Sequence, residues 1–219
     1  MDDKAEFHPG RPLKSTARDF LNWLYLVRVI GAGVLLGIVV GRIVVLRPRH
    51  LERLRPRVWL PELKRMSVRR WLVLFSAAFS VAVVSLLFST VVGWLLQLFE
   101  VPAVSPEDYP FVTLERDYPW LVLAVVNILP IFEEWIFRGI IIDEVIRWRG
   151  SKFFAVLISA ALFSAFHLSN PGTYPGIVLS MFPASLLLSL CYLYTGLGGA
   201  ILAHDFYNTL LLVIAFLRG

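Results

Sequence analysis

Two consecutive glutamates, Glu133 and Glu134, stand in the middle of a strongly apolar stretch, and Arg138 follows four residues after the second. A charged side chain at bilayer depth costs about 2.5 kcal/mol or more, so such groups are rare and usually functional. Residues four apart on a helix share a face, which predicts that Glu134 pairs with Arg138. Glu133 is rotated by about 100° from its neighbour. We therefore expect Arg138 to neutralise one glutamate while the other points into a cavity.

Three further polar residues interrupt later apolar stretches: His167, His204 and Asn208. His204 and Asn208 are four apart, so they share a helix face. Phe163 precedes His167 by four residues and is expected to form an apolar wall beside its imidazole. Asn127 and Asp205 fall outside these spacings, and we assign both to contacts between helices.

A carboxylate with two imidazoles and an amide suits the activation of water for acyl cleavage. Glu133 would act as general base, and His167 would orient the water or protonate the leaving amine. His204 and Asn208 would donate hydrogen bonds to the tetrahedral oxyanion. The same groups could bind zinc instead, since one glutamate and two histidines form a catalytic ligand set, although no H-E-x-x-H motif is present. The purely structural alternative is disfavoured because buried ionisable clusters are costly.

The positions of these residues along their helices predict their relative depth. Glu133 and His167 each lie about 15 residues from the basic turn at 149–152, on opposite sides of it. We expect them to face each other in an antiparallel helix pair. His204 follows Gly196 by only eight residues, about 12 Å along a helix. His204 is therefore expected nearer the cytoplasmic surface than the glutamates, unless the Gly196 turn is re-entrant or the helix is strongly tilted.

The composition indicates the class of protein that holds this cluster. The chain has 219 residues, 58% of them hydrophobic and 17% charged, with a mean hydropathy of +0.71. Soluble domains have about 45–50% apolar and about 25% charged residues. Recurrent long apolar stretches predict an all-α, polytopic transmembrane bundle. The single cysteine, Cys191, excludes an intramolecular disulfide.

Six transmembrane spans are predicted, over about 20–46, 71–98, 119–146, 153–168, 176–195 and 200–217. The last four carry the polar motifs and form a four-helix core. We divide the chain into an N-terminal tail at 1–19, two spans joined by a basic loop at 20–118, and a catalytic core at 119–217. Glycines at four-residue spacing in the first span, Gly33, Gly37 and Gly41, predict a close approach by another helix.

The charges predict the orientation in the membrane. Ten of the 21 basic residues lie between Arg42 and Arg70. The positive-inside rule places this loop and the turn at 147–152 in the cytoplasm, with the acidic segment 99–118 outside. Residues 59–70 suit a helix in the interface plane or, equally, a solvated basic loop. Anionic lipid head groups account for the basic charge, so we expect membrane lipids as partners and no nucleic acid. The absence of a targeting segment favours a multi-pass protein of a prokaryotic plasma membrane.

Three motifs together resemble a known family. They are the stretch from Glu133 to Gly139, the stretch from Phe163 to His167, and the stretch from His204 to Asn208. In this order and within apolar segments, they are similar to the CPBP (Abi) family of CAAX-protease and bacteriocin-processing intramembrane endopeptidases, which includes the type II CAAX prenyl endopeptidases. The resemblance covers about 119–215, and the first hundred residues carry none of these motifs.

The resemblance implies an all-helical intramembrane protease with a water-filled cavity open to the cytosol. It implies that Glu133 activates water and that His167, His204 and Asn208 orient the water and stabilise the oxyanion. Glu134 and Arg138 correspond to a structural ion pair. A glutamate-dependent mechanism without a metal is implied, so we expect no cofactor, with zinc as the alternative.

The resemblance also limits the classes of substrate that we expect. Members of the family cleave prenylated CAAX proteins, process peptides, or act in immunity and as membrane scaffolds. Six spans are fewer than we expect of eukaryotic prenyl-protein processors, which favours an enzyme that cuts a membrane-embedded or lipidated peptide or protein. A non-catalytic immunity or scaffold protein with the same core is the alternative. A small transporter with a proton relay is a third reading, which no inverted repeat supports.

Overall fold

Helices form most of the protein, for which the computed structural model describes residues 13–105 and 117–218. The first four helices are α1 (Leu13–Leu46), α2 (Arg49–Glu52), α3 (Pro56–Arg65) and α4 (Val68–Leu98). They are followed by α5 (Pro119–Glu134), a π-helical segment (Trp135–Ile142), α6 (Asp143–Arg149), α7 (Lys152–Phe166), a 3₁₀ turn (His167–Ser169) and α8 (Gly176–Arg218).

Five of the described helices are apolar and long enough to cross a membrane. They cover Leu26–Leu46, Val68–Leu98, Pro119–Arg149, Lys152–Ser169 and Gly176–Leu217. The predicted class, a helical membrane bundle, is confirmed. In the third of these helices, α5, the π-helical segment and α6 continue one another without a break.

The last apolar helix accounts for the fifth and sixth predicted spans because α8 folds back at Gly196. The backbone of Gly196 has φ 78° and ψ −172°, a region that is essentially open only to glycine. Ser89 of α4 contacts both halves: its Oγ donates to Ser180 O at 3.1 Å, and Tyr207 Oη donates to Ser89 Oγ at 3.2 Å. Residues 27 positions apart in α8 thus lie beside the same serine, which requires a helical hairpin.

We expect Gly196→Ala to destabilise the protein by about 1–3 kcal/mol, because a Cβ strains this backbone conformation. The measurement is thermal unfolding of the purified protein in detergent micelles. Gly198→Ala is the matched control, since Gly198 is also in α8, has no positive φ, and would place its Cβ in open space. Equal unfolding temperatures for the two variants would contradict the prediction.

Two expectations for the N-terminal part need correction. The helix α1 begins at Leu13, inside the predicted tail at 1–19, directly after the last proline of that tail. No described part of the chain approaches the glycine positions of α1: a Cβ at Gly33, Gly37 or Gly41 would meet nothing within 4 Å. The predicted close helix approach is therefore wrong within the described residues. Residues 1–12 of the tail and 106–116 of the acidic segment lie outside them.

The loop between α1 and α4 contains the helix expected near residues 59–70, although it begins and ends earlier, at Pro56 and Arg65. None of its residues is buried, and Val58, Trp59 and Leu60 are exposed. Apolar and basic residues share this short helix, which is typical of a helix at a membrane surface. Its position relative to a bilayer stays a prediction.

Candidate active site

The two glutamates are the last residues of α5, and the π-helical segment begins at the next residue, Trp135. A π helix bonds residue i to i+5, is rare, and frequently occurs at functional sites. Two carbonyls of this segment accept hydrogen bonds from other elements. Ser159 Oγ donates to Phe137 O at 2.7 Å, and Arg53 Nη1 donates to Gly139 O at 2.7 Å. The sequence predicts an ordinary α-helix here, and its apolar pattern contains no sign of the wider turn.

Glu134 and Arg138 form a fully buried ion pair. Arg138 Nη1 donates to Glu134 Oε1 at 2.8 Å, and neither side chain is exposed. Arg138 Nη2 donates to Ser185 Oγ at 2.8 Å and to Ser185 O at 3.2 Å. Its guanidinium also lies over the Phe163 ring, 4.3 Å from the ring centroid. A buried charge requires such partners. The sequence does not identify Ser185 as a partner of Arg138, because a serine in an apolar span has no distinguishing spacing.

His204 is the second partner of Glu134. The distance from His204 Nδ1 to Glu134 Oε1 is 2.8 Å. An ionised carboxylate can only accept hydrogen bonds, so Nδ1 carries the hydrogen. This leaves Nε2 of the same ring directed toward Glu133, 3.8 Å from its Oε2. Glu134 therefore orients an imidazole whose other nitrogen faces Glu133.

The exception allowed for the depth of His204 applies, because the hairpin at Gly196 turns before it reaches the level of the basic turn. Tyr192 Oη donates to Asp143 Oδ1 at 2.8 Å, and Leu197 packs against the cluster of Val40, Trp135 and Ile140. The Gly196 turn thus lies level with residues 140–143 rather than with 149–152. His204, eight residues further along, reaches the glutamates.

His167 packs against the same Phe163 ring as His204. Its Nδ1 is 2.9 Å from Phe163 O and must carry the hydrogen, because a carbonyl only accepts. The Phe163 ring centroid is 4.6 Å from that of His167 and 5.7 Å from that of His204. His167 also interacts electrostatically with Glu133 and His204. Phe163 is the apolar wall that the spacing predicts, and both imidazoles keep Nε2 available for reacting groups.

Glu133 differs from its neighbour in exposure, since 25% of its side chain is accessible whereas Glu134 is fully buried. Asn208 Nδ2 donates to Val126 O at 2.8 Å. Val126 precedes Glu133 by seven residues, so Asn208 lies toward the start of α5, next to the glutamate–histidine cluster rather than within it. One of the two amide hydrogens of Asn208 remains for another acceptor.

The two polar residues that we assigned to helix contacts behave differently. Thr209 Oγ1 donates to Asn127 Oδ1 at 3.2 Å, which links α8 to α5 as expected. Asp205 Oδ1 is buried and has no hydrogen-bond partner among the described residues. The expected helix contact of Asp205 through this atom is therefore not formed.

The histidines and carboxylates of the site are also the residues that zinc would need. Within residues 13–105 and 117–218, no group of three His, Cys, Asp or Glu side chains is arranged to hold a metal ion. Zinc stays an alternative that elemental analysis and chelation of the purified protein can test.

Comparison with known proteins finds a family that is similar to the part of the chain that holds this site. Residues 115–210 match the family model described as "Type II CAAX prenyl endopeptidase Rce1-like", and this range contains every candidate site residue from Glu133 to Asn208. No curated protein and no solved structure matches the chain. The match confirms the resemblance found in the three motifs. Together with the five apolar helices, it supports an integral membrane protein with a CAAX protease-type core.

Proposed function

We propose that the protein is an intramembrane endopeptidase in which Glu133 activates a water molecule to hydrolyse a peptide bond. The observation that carries this proposal is the contrast between the two glutamates. Glu134 Oε1 is fully buried and already accepts hydrogen bonds from Arg138 and His204. Glu133 is a quarter exposed and lies 3.8 Å from His204 Nε2. Of the two carboxylates, only Glu133 is free to take a proton from water.

In the proposed reaction, Glu133 accepts one proton from water as the water oxygen bonds to the carbonyl carbon of the peptide. The carbonyl π electrons move to oxygen and form a tetrahedral oxyanion. The second amide hydrogen of Asn208 and the protonated imidazole of His204 stabilise that charge. Collapse of the intermediate breaks the C–N bond, and His167 passes the proton held by Glu133 to the leaving amine. The products are a carboxylic acid and an amine.

Glu134 and Arg138 act in this mechanism through His204. The hydrogen bond to Glu134 fixes the tautomer of His204, so that Nε2 faces the water and Glu133. Arg138 holds Glu134 in place through the hydrogen bond from Nη1 to Oε1. We therefore assign this pair a positioning role, while Glu133, His167, His204 and Asn208 carry the chemistry.

The substrate class follows from the location of the site. We propose a membrane-embedded or lipidated peptide or protein, in a prokaryotic plasma membrane, with lipids around the exposed apolar helix faces. The matched family is described by its action on CAAX prenyl proteins, so a prenylated peptide is one member of this class. The proposed chemistry acts on the peptide bond and does not require the prenyl group.

The side from which the substrate enters is a further part of the proposal. His167 lies 15 residues from Lys152, about 22 Å along α7, whereas Thr173 Oγ1 donates to His167 O at 3.0 Å. The site is therefore closer to the turn at 169–175 than to the basic turn. If the basic turn is cytoplasmic, the site lies in the outer half of the membrane, which disagrees with the cytosolic opening that the resemblance implies.

We expect Tyr174→Cys to react with a membrane-impermeant maleimide in intact cells, and Lys152→Cys to react only after the cells are permeabilised. Tyr174 is exposed in the turn beside His167, and the native Cys191 is buried, so the background is low. The reverse labelling pattern would contradict the orientation and would restore the cytosolic opening.

Terminal-peptide mass spectrometry tests the proposed activity directly. Membranes are compared from cells that make the wild type or Glu133→Gln at matched levels. New protein ends that appear only with the wild type would support proteolysis and identify the substrate. Identical ends from two folded proteins would contradict the proposal and favour the non-catalytic scaffold.

A further inference from the structure

A loop arginine outside the site residues ties three other elements together. Arg53, between α2 and α3, donates from Nη1 to Gly139 O at 2.7 Å and to Tyr192 Oη at 3.1 Å. Its Nη2 donates to Asp143 Oδ2. Burial lowers the pKa of Arg53, but Tyr192 and Asp143 outweigh this effect and raise the pKa above its ordinary value. One charged guanidinium thus joins the π-helical segment, α6 and the first half of α8.

The same loop contacts the π-helical segment at its other end. Trp135 Nε1 donates to His50 O at 2.8 Å, and His50 is fully buried. His50 Nε2 lies 3.0 Å from Glu144 Oε1. The loop therefore clamps the π-helical segment from its first residue, Trp135, to the start of α6.

We propose that Arg53 is a positioning residue of the active site, which holds the π turn after Glu134 and thereby sets both glutamates against His204. Gly139 follows Glu134 by five residues, which is one turn of a π helix. The peptide group that Arg53 holds therefore lies at the end of the turn that begins at Glu134. This inference rests on the proposed function, because it concerns the geometry of that reaction.

The arrangement of donors argues that Arg53 does more than neutralise Asp143. A planar guanidinium presents several N–H groups in fixed directions, and Arg53 uses them on a carbonyl, a phenol and a carboxylate at once. Charge neutralisation alone would require only the carboxylate. The bond to Gly139 O supports a segment whose i+5 hydrogen-bond pattern is rare.

The test compares Arg53→Gln with Arg57→Gln, an arginine of the same region that binds Glu52 at the surface. The probe is a synthetic peptide that spans the cleavage site identified by terminal-peptide mass spectrometry. We expect Arg53→Gln to lower kcat by about 10–100-fold, because small displacements of reacting groups have effects of this size. KM should change by less than about threefold, since uniform substrate binding is retained. Arg57→Gln should match the wild type.

A double variant separates positioning from charge pairing. Arg53→Gln leaves the Asp143 carboxylate without its arginine, and Arg53→Gln/Asp143→Asn removes that unpaired charge. We expect kcat to stay low in the double variant, because Gly139 O still lacks its donor. Recovery of kcat to the wild-type value would overturn the proposal, as would a raised KM with unchanged kcat in Arg53→Gln.

Hydrogen–deuterium exchange supplies a readout that needs no substrate. In detergent micelles, peptides that cover residues 133–143 should exchange faster in Arg53→Gln than in Arg57→Gln. Equal exchange in the two variants would overturn the proposal. The wild type could also yield no Glu133-dependent protein ends while Arg53→Gln exchanges faster. That result would support the role of Arg53 in holding the π turn and would contradict the proposed function instead.

Discussion

Glu133→Gln is expected to lower kcat by about 10²–10⁴-fold, the range that a positioned general base usually contributes. Glutamine has nearly the shape of glutamate but cannot accept a proton from water. The change should leave folding intact, because Glu133 is partly exposed and its oxygen lies 3.8 Å from His204 Nε2, beyond hydrogen-bond distance. The measurement is the cleavage rate of the synthetic peptide by purified protein, together with thermal unfolding of the same samples.

Two further glutamate variants make this prediction specific. Glu62→Gln removes an exposed carboxylate from α3 and should leave kcat and the unfolding temperature unchanged. Glu133→Asp keeps a carboxylate but withdraws it by one methylene, so it should retain part of the activity. A Glu133→Gln protein that cleaves the peptide at the wild-type rate would rule out Glu133 as the base.

Contacts within one helix are the part of the site that the sequence predicts well. The pairing of Glu134 with Arg138 and the packing of Phe163 against His167 follow from four-residue spacing, because neighbouring turns bring such residues together. In both cases the structure contains the contact. The helical class is predicted equally well, since long apolar stretches indicate it, although five long apolar helices are found among the described residues where six spans were predicted.

Contacts between distant elements could not be predicted in the same way. The depth of His204 depends on where the Gly196 hairpin turns, and next to that turn Leu197 packs against the cluster of Val40, Trp135 and Ile140. Ser185 and Arg53 meet the site across 47 and 86 residues of chain, and no local pattern marks them. The π-helical segment is a third example, because its side-chain composition suits an α-helix equally well.

Arg138→Met is expected to destabilise the protein by about 3–5 kcal/mol, because it leaves the Glu134 carboxylate buried without its cation. Since a folded protein is stable by only about 5–15 kcal/mol, most of the stability would be lost. Thermal unfolding and the yield of monodisperse protein in micelles measure this effect. Arg57→Met is the matched control, because Arg57 pairs with Glu52 in an exposed position, where such pairs contribute about 0–1 kcal/mol.

The double variant Arg138→Met/Glu134→Met should recover most of the lost stability, because apolar side chains often replace a buried ion pair without loss. It should nevertheless remain inactive, since His204 Nδ1 loses the carboxylate that fixes its tautomer. A folded, active double variant would contradict the positioning role of Glu134. An Arg138→Met protein as stable as Arg57→Met would show that the buried pair does not hold the core. Recovered stability without recovered activity would separate the two tasks of this pair, which neutralises charge inside the bundle and orients the imidazole that faces Glu133.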